Sequence, residues 1–447
     1  MSWDYVFVGA GPASLLAAGL LSRENRGARI LILETGEALS SRGCPGMRRH
    51  TCTNCSGDGC RVIMGVGGSS AGFGNKLCHF PASSGVLSLI PSELLQQVHD
   101  IVTHRLGRDF DVEPEIATIP LASVRRKFYS ADVLFRKQYA SLVGALLSAL
   151  QDKVEVRSRT SVREVHKTSE GFEVRLASSE TIWTRKLILG TGRAGHRFVR
   201  ETLTSLGASY GESLADIGIR LEARTDLFSD AFFYQNDPKF KFEHAQLGSS
   251  RTFCACRGGG IVPVKFGNGF FADGAFVNAP TGVTNAALMV RSDRALTSNE
   301  IDEWCKSVNM RSGRSLLLGE VSTRMGSVSR DILDRIPVWP SQAHRSLMSE
   351  LLDNVVGGKH VHMFKPTASE EVVRIYGPAV DLYWPLPALS QGFRTAIDGL
   401  SVIGDAAGLS RGIVQAMTSG AAWALVEARG VATYDEVRAD PSSSAAA

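Results

Sequence analysis

Residues 3–34 read WDYVFVGAGPASLLAAGLLSRENRGARILILE. Trp3 to Val8 is a short, mostly apolar run of strand type, and Gly9-Ala10-Gly11-Pro12-Ala13-Ser14 follows it at once. Leu15 to Ser22 is then apolar and rich in helix formers. Ala28 to Leu33 is a second strand-like run, closed by Glu34. Strand, glycine-rich turn, helix, strand and terminal acid are the parts of a dinucleotide-binding unit. Each part has a physical task. Gly9 lets the chain turn sharply out of the strand, and Gly11, lacking a Cβ, lets the backbone approach a pyrophosphate. The helix that starts near Ala13, just after Pro12, points free N–H groups and its positive dipole end at that phosphate. Glu34, 25 residues after Gly9, can accept hydrogen bonds from a ribose diol. Ser14 stands where Gly or Ala is usual, yet it is small enough to keep helix and strand close.

A second turn lies near the other end. Leu400 to Gly408 reads LSVIGDAAG, a strand that ends in Gly404-Asp405. A helix follows from about Gly412-Ile413, with small residues that suit close packing and an N-terminus able to face negative charge. Between the two, Val154 to Leu189 alternates as β-structure and ends in Gly190-Thr191-Gly192. A glycine turn at one end, a Gly-Asp turn at the other and a β-meander between them resemble the glutathione-reductase-like FAD-binding fold. That resemblance implies FAD extended between the turns, with Asp405 on a ribityl hydroxyl. Gly190, Gly192 and Gly195 also match a second dinucleotide fingerprint by spacing. No second strand ending in an acid or Arg follows, so a built-in nicotinamide domain is not expected and NAD(P)H would serve as a transient donor.

Further blocks resemble one uncharacterised family of FAD-dependent dehydrogenases within that superfamily. They are Cys52-Thr53-Asn54-Cys55 leading into Gly65 to Leu77, then Ile217 to Glu222, Arg251 to Cys256 with Gly258-Gly259-Gly260, and Asn278 with Thr284 to Ala287. Ser69-Ser70, Asn75 and Arg257 depart from the family wording. The resemblance implies an α/β protein: a discontinuous FAD-binding Rossmann domain (1–85, 125–200 and 370–435) with an inserted α+β substrate-side domain at 201–369. In that insert, Thr297 and Glu300 form a capping box and Ser341 starts a second helix. Residues 440–447 form a Pro/Ser/Ala tail of disordered type.

The same framework places the Gly67-Gly68 loop beside the isoalloxazine, with Lys76 as a cation for reduced flavin. The cysteines admit three readings. Cys55 and Cys60 have the CxxxxC spacing of flavin-linked disulfide reductases. Cys52 and Cys55 with Cys254 and Cys256 would be the ligands only if a metal or iron–sulfur cluster were present. Otherwise these are structural or substrate-lining thiols. Met47-Arg48-Arg49-His50, Arg61 and Arg251 suggest an anionic small-molecule substrate. His360 and His362 alternate as ordinary strand histidines would. No hydroxylase or halogenase signature is evident. A redox partner protein that exchanges electrons with the flavin is a further reading.

Composition sets the outer bounds. The 447 residues carry 49 Lys plus Arg against 45 Asp plus Glu, a net charge of +4, which does not suggest a dedicated nucleic-acid binder. No apolar run reaches the ~18–20 residues of a membrane span. The opening Met-Ser-Trp-Asp has no basic n-region or cleavage pattern, so a cytoplasmic protein whose eight cysteines are mostly reduced is expected.

Overall fold

The computed structural model describes residues 2–44, 60–107, 118–121, 124–150, 152, 154–245, 247–266, 269–322, 328–366, 369–381 and 384–430. Cys52, Cys55, Met47 to His50 and the 440–447 tail lie outside the described residues. The chain forms a mixed α/β structure around two sheets.

In the first sheet, Val154–Arg157, Ile30–Leu33, Trp3–Val8, Thr181–Leu189 and Leu400–Val402 run parallel, in that spatial order. Ile30–Leu33 and the end of Trp3–Val8 are buried throughout, as strands covered on both faces must be, which explains their unbroken apolar sequence. Val8 pairs with Leu33 on one side and Leu189 on the other, and Leu189 pairs with Val402. Gly9, Glu34, Gly190 and Gly404 therefore all leave the sheet near one carboxyl edge, where open parallel sheets place their ligand crevice. The first half of Thr181–Leu189 pairs instead with Gly171–Leu176, which pairs with Val162–Thr168. Those three strands are the meander. Val154–Arg157, expected within it, is an outer parallel strand.

Helices Pro12–Glu24 and Ile413–Arg429 pack against each other. Gly420 makes this possible, since a Cβ there would stand 2.3 Å from the Ala13 carbonyl oxygen. Trp423 meets Phe7 edge-on, with ring centres 5.3 Å apart. The N-termini of both helices thus reach the same edge of the sheet.

The second sheet has eight antiparallel strands, in the order Leu317–Ser322, Val372–Asp381, Asp216–Arg224, Val283–Ser292, Gly248–Cys256, Lys239–His244, Val124–Lys127 and Thr118–Leu121. Val124–Lys127 and Val372–Asp381, close to the 125 and 370 bounds drawn from sequence for the nucleotide domain, are strands of this second sheet. Val372–Asp381 flanks the central Asp216–Arg224 and hydrogen-bonds along it, and Val124–Lys127 pairs with Lys239–His244. A buried central strand needs a neighbour on each side, which local sequence cannot reveal. Helix Ser298–Arg311 has the capping box expected from Thr297 and Glu300, and Ser341 caps Gln342–Val355. Among the described residues no helix is long and apolar enough to cross a membrane.

His344 is fully buried in this second core, with Nδ1 2.7 Å from the Ser341 hydroxyl and Nε2 without a hydrogen-bond partner among the described residues. Burial pushes its pKa down to about 4 from the ordinary 6.5. The fold holds the neutral ring, so its contribution is complete above pH 6.5 and is lost as pH falls from there towards 4. A loss of about 3 kcal/mol across that window is expected in urea melts. Burial also takes His196 down to about 4, so His344→Gln is expected to reduce the slope in this window by about half, and an unchanged slope in that variant would refute the assignment.

Candidate functional site

A cavity of about 410 Å³ opens at the carboxyl edge of the parallel sheet and continues between the two sheets. At one end stand Gly9, Gly11, Pro12, Ala13 and Glu34, and along it Gly67 and Gly68. Gly192, Gly404, Asp405, Gly412 and Ile413 also line it. Turns far apart in the chain thus meet on one space.

Backbone geometry explains the glycines at two positions. Gly9 has φ +101°, and a Cβ there would stand 2.5 Å from the Gly190 carbonyl oxygen. Gly412 has φ +133° and precedes helix Ile413–Arg429 without capping it through a side chain. Gly11 likewise leaves the first turn of Pro12–Glu24 uncapped. Both helices therefore present unsatisfied N–H groups and positive dipole ends at the cavity, which suits anionic groups. Ser14 does not line the cavity. It lies buried against Gly190, where even a Cβ on Gly190 would come within 2.2 Å of the Ser14 hydroxyl.

Glu34 is tied more tightly than its sequence position suggests. Its Oε1 accepts from the Gly36 and Gly65 amides at 2.8 and 2.9 Å, and its Oε2 from the Ala10 amide at 2.8 Å. A carboxylate accepts about four hydrogen bonds, so Oε2 keeps capacity for one ligand hydroxyl. Asp405 Oδ1 accepts from the Ser410 hydroxyl at 2.9 Å, and burial raises the pKa of its carboxyl group. The uncapped helix starts, the glycine cradle and a carboxylate at each end fit an extended dinucleotide.

Arg42 organises the loop above this groove. Its buried guanidinium donates to the carbonyls of Gly65, Val66 and Gly68 and, from its other nitrogen, to those of Arg61 and Val62. The Tyr139 hydroxyl donates to the Gly67 carbonyl at 2.8 Å. Neither residue is marked by any sequence pattern, because each acts on a loop distant in the chain.

Beyond Gly68 the cavity becomes charged. Lys76 is buried, and its Nζ donates at 2.5 Å to both Asp237 Oδ1 and the Ala255 carbonyl. Burial alone would lower the Lys76 pKa, but Asp237 and the nearby thiols outweigh it and raise it. Asp237 also accepts from the Tyr129 hydroxyl at 2.5 Å. The Lys76 charge is thus already neutralised by a carboxylate. Arg193, on the loop after Gly192, reaches Asp273 at 3.2 Å and Asp381 at 3.9 Å, which links the first sheet to the second.

Two further cations line this end. Lys239 Nζ lies 5.7 Å from the Tyr129 ring centre and 5.6 Å from that of Phe253, and Arg411 lies 5.9 Å from that of Trp384. Burial, then like charge, lowers the pKa of Lys239, and burial takes Arg411 down to about 10. Nearby Lys127 falls to about 7 through burial and repulsion by Lys239, Lys241, Arg251 and Arg411. Positive charge is in surplus here.

Other sequence candidates sit elsewhere. Cys60 packs with Val62 and Phe73, accepts from the Lys265 amide at 3.4 Å, and is not part of the cavity wall. Arg251 is engaged by Asp216 and Asp381 instead of facing the cavity. Arg61 lies 3.8 Å from Glu37. His360 and His362 fall outside strands. Cys254 does line the cavity, next to Cys256. Among the described residues no group of three or more His, Cys, Asp or Glu side chains could hold a metal ion.

No family model matches the chain, and no curated protein sequence matches it. Among solved structures, the Diels-Alderase PyrE3 of pyrroindomycin biosynthesis aligns at 13% identity and TM-score 0.40, over 96% of this chain and 67% of that one. PqsL, a probable FAD-dependent monooxygenase from Pseudomonas aeruginosa, aligns at 12% and 0.36, over 96% and 85%. CtdE in complex with FAD and a substrate aligns at 11% and 0.36, over 95% and 80%. Likenesses this remote say nothing about the reaction of this chain.

Proposed function

We propose that this chain is an FAD-dependent oxidoreductase of glutathione-reductase-like architecture, acting on a small anionic organic molecule. The observation that carries the reading is that Glu34 and Gly404-Asp405, from opposite ends of the chain, stand on one cavity at the carboxyl edge of a parallel sheet. Glu34 would bind the ribose, the uncapped turn at Gly11 to Ala13 the pyrophosphate, and Asp405 the ribityl chain. Gly412-Ile413 would supply N–H groups to the pyrimidine edge of the ring. Bound there, FAD supplies hydride or electron-pair transfer. The protein orients the two reactants and excludes water with the Tyr129, Phe253 and Trp384 walls.

The first test is the absorption spectrum of the purified full-length chain, and of the same chain after incubation with FAD. Flavin bands that persist through desalting are expected. A colourless protein that takes up no FAD would end the proposal.

Surplus positive charge at Lys239 and Arg411 supports an anionic substrate. A buried anion there would relieve the repulsion that lowers the Lys239 and Lys127 pKa values. Benzoate is a suitable probe, followed by its perturbation of the flavin spectrum. Lys239→Met and Arg411→Met are each expected to weaken it about ten- to a hundredfold, since a charge-assisted hydrogen bond contributes about 1.5–3 kcal/mol. Neutral benzamide should bind far more weakly to the unaltered protein. Equal binding of the two probes would exclude an anion site.

A further inference from the structure

The strand Gly248–Cys256 breaks its register as it reaches the cavity. Phe253 pairs with Ala287, but Cys256 pairs with Asn285, so Cys254 and Ala255 oppose only one partner residue. This β-bulge puts Cys254 at φ +44°, a left-handed backbone that non-glycine residues seldom adopt. Strain of this kind gathers at functional sites, where bulges re-aim side chains. Here the bulge leaves the Cys254 and Cys256 sulfurs 4.0 Å apart.

The surroundings differ from those of inert buried thiols. Cys254 forms part of the cavity wall, whereas Cys256 lies behind it, 1% exposed. The Lys76 ammonium is bonded to the carbonyl of Ala255, the residue between the two cysteines. Arg220, itself 1% exposed, donates to the Cys254 carbonyl at 2.9 Å and lies 3.5 Å from Asp273. Space behind Cys256 is closed. A Cβ on Gly274 would lie 2.5 Å from its sulfur, and one on Gly259 2.8 Å from its Cβ. The Cys256 thiol lies 3.4 Å from the Cys254 carbonyl oxygen, to which it donates, and the adjoining Cys256 side chain, Lys76 and Arg220 draw the Cys254 pKa down against burial. The same pairing and burial raise that of Cys256.

We propose that Cys254 and Cys256 are a redox-active thiol pair, with Cys254 the attacking thiolate and Cys256 the resolving thiol, that reduces a small organic disulfide entering the cavity. The Cys254 thiolate attacks one sulfur of R–S–S–R, forming a mixed disulfide and releasing RS⁻. Cys256 then attacks the Cys254 sulfur of that mixed disulfide. An internal Cys254–Cys256 disulfide forms, a second RS⁻ leaves, and the Cys256 proton passes to the released thiolate. The pair loses two electrons and the substrate gains two. None of this requires bound flavin, so its failure and that of the FAD reading are separable.

The test uses full-length protein reduced with a phosphine, desalted, and mixed with 4,4′-dithiodipyridine. At about pH 6.5 an ordinary thiol is almost wholly protonated. A fast phase releasing two thiopyridones per chain is expected, about tenfold quicker than the remaining cysteines react. Peptide mass analysis should find the internal disulfide within 251–257. Cys256→Ser should release one thiopyridone in the fast phase and keep the other half on Cys254. Cys254→Ser should lose the fast phase. The unaltered protein keeps the test decisive even if either variant misfolds, because its mapped disulfide alone can decide. A fast phase that maps to other cysteines, no fast phase at all, or release of bound zinc or iron during the reaction would each overturn the proposal. A colourless protein with the fast phase intact would sink only the FAD reading.

Discussion

Gly9→Ala is expected to abolish FAD retention and to lower the unfolding free energy by about 2–5 kcal/mol. Two costs combine. At φ +101° an L-residue is strained by about 1–2 kcal/mol. The added methyl would also stand 2.5 Å from the Gly190 carbonyl oxygen and 2.9 Å from Thr191 Cα, and backbone cannot rotate away as a side chain can. Overpacking of that kind costs about 1–3 kcal/mol. The relief open to the chain is to separate the turn after Trp3–Val8 from the turn after Thr181–Leu189, which are the two loops that frame the phosphate end of the cavity. Stability and flavin binding should therefore fail together. The ratio of flavin to protein absorbance and a urea melt measure both. Normal flavin content in a destabilised Gly9→Ala protein would mean that the turn does not face the cofactor.

Gly9 also shows what was legible in the sequence. The turn, the apolar strands and Glu34 are local features, written within 34 residues, and the Gly404-Asp405 turn is equally local. Their shared cavity follows from parallel pairing, which the unbroken apolar strands imply. Less could be read where function depends on distant partners. Arg42 and Tyr139 shape the Gly65–Gly68 loop through carbonyl oxygens, which carry no sequence signature. Asp237, which neutralises Lys76, lies 161 positions away from it. Cysteine spacing was ambiguous for a further reason. CxxxxC at Cys55 and Cys60 follows a known template, whereas Cys254 and Cys256 converge because of a bulge in the pairing with Val283–Ser292. Which sheet takes Val124–Lys127 and Val372–Asp381 was not legible either, because a strand's sequence shows that it is a strand, but not which sheet will accept it.

Asp216→Asn is expected to cost about 3–5 kcal/mol, the penalty for stranding buried charge. Asp216 is 1% exposed at the start of a central strand. It pairs with Arg251 and, at 2.5 Å, with Arg291. Removing its charge affects the two cations unequally. Arg251 retains Asp381 at 3.1 Å, while Arg291 is left without the carboxylate it binds here. The double variant Asp216→Asn with Arg291→Met should therefore be more stable than Asp216→Asn alone, which a purely local packing defect at Asp216 would not produce. The pH dependence has a definite sign. Burial raises the Asp216 pKa, but Arg251 and Arg291 outweigh it and hold the carboxyl below its ordinary value. Its stabilisation is complete above the unfolded carboxylate pKa of about 4 and is lost as pH falls through the lower folded value. That window begins where the His344 window ends, so urea melts from pH 7 to 3 can separate the two. His344→Gln should change the upper limb and Asp216→Asn the lower. The cluster also reaches the cavity, because Asp381 lies 3.9 Å from Arg193 and 4.0 Å from Arg411. With Asp216 neutral, Arg251 leans more on Asp381, which frees Arg411 to hold an anion. Benzoate affinity in Asp216→Asn should consequently rise while stability falls, and a fall in both would show that Asp381 does not divide its charge between the two arginines.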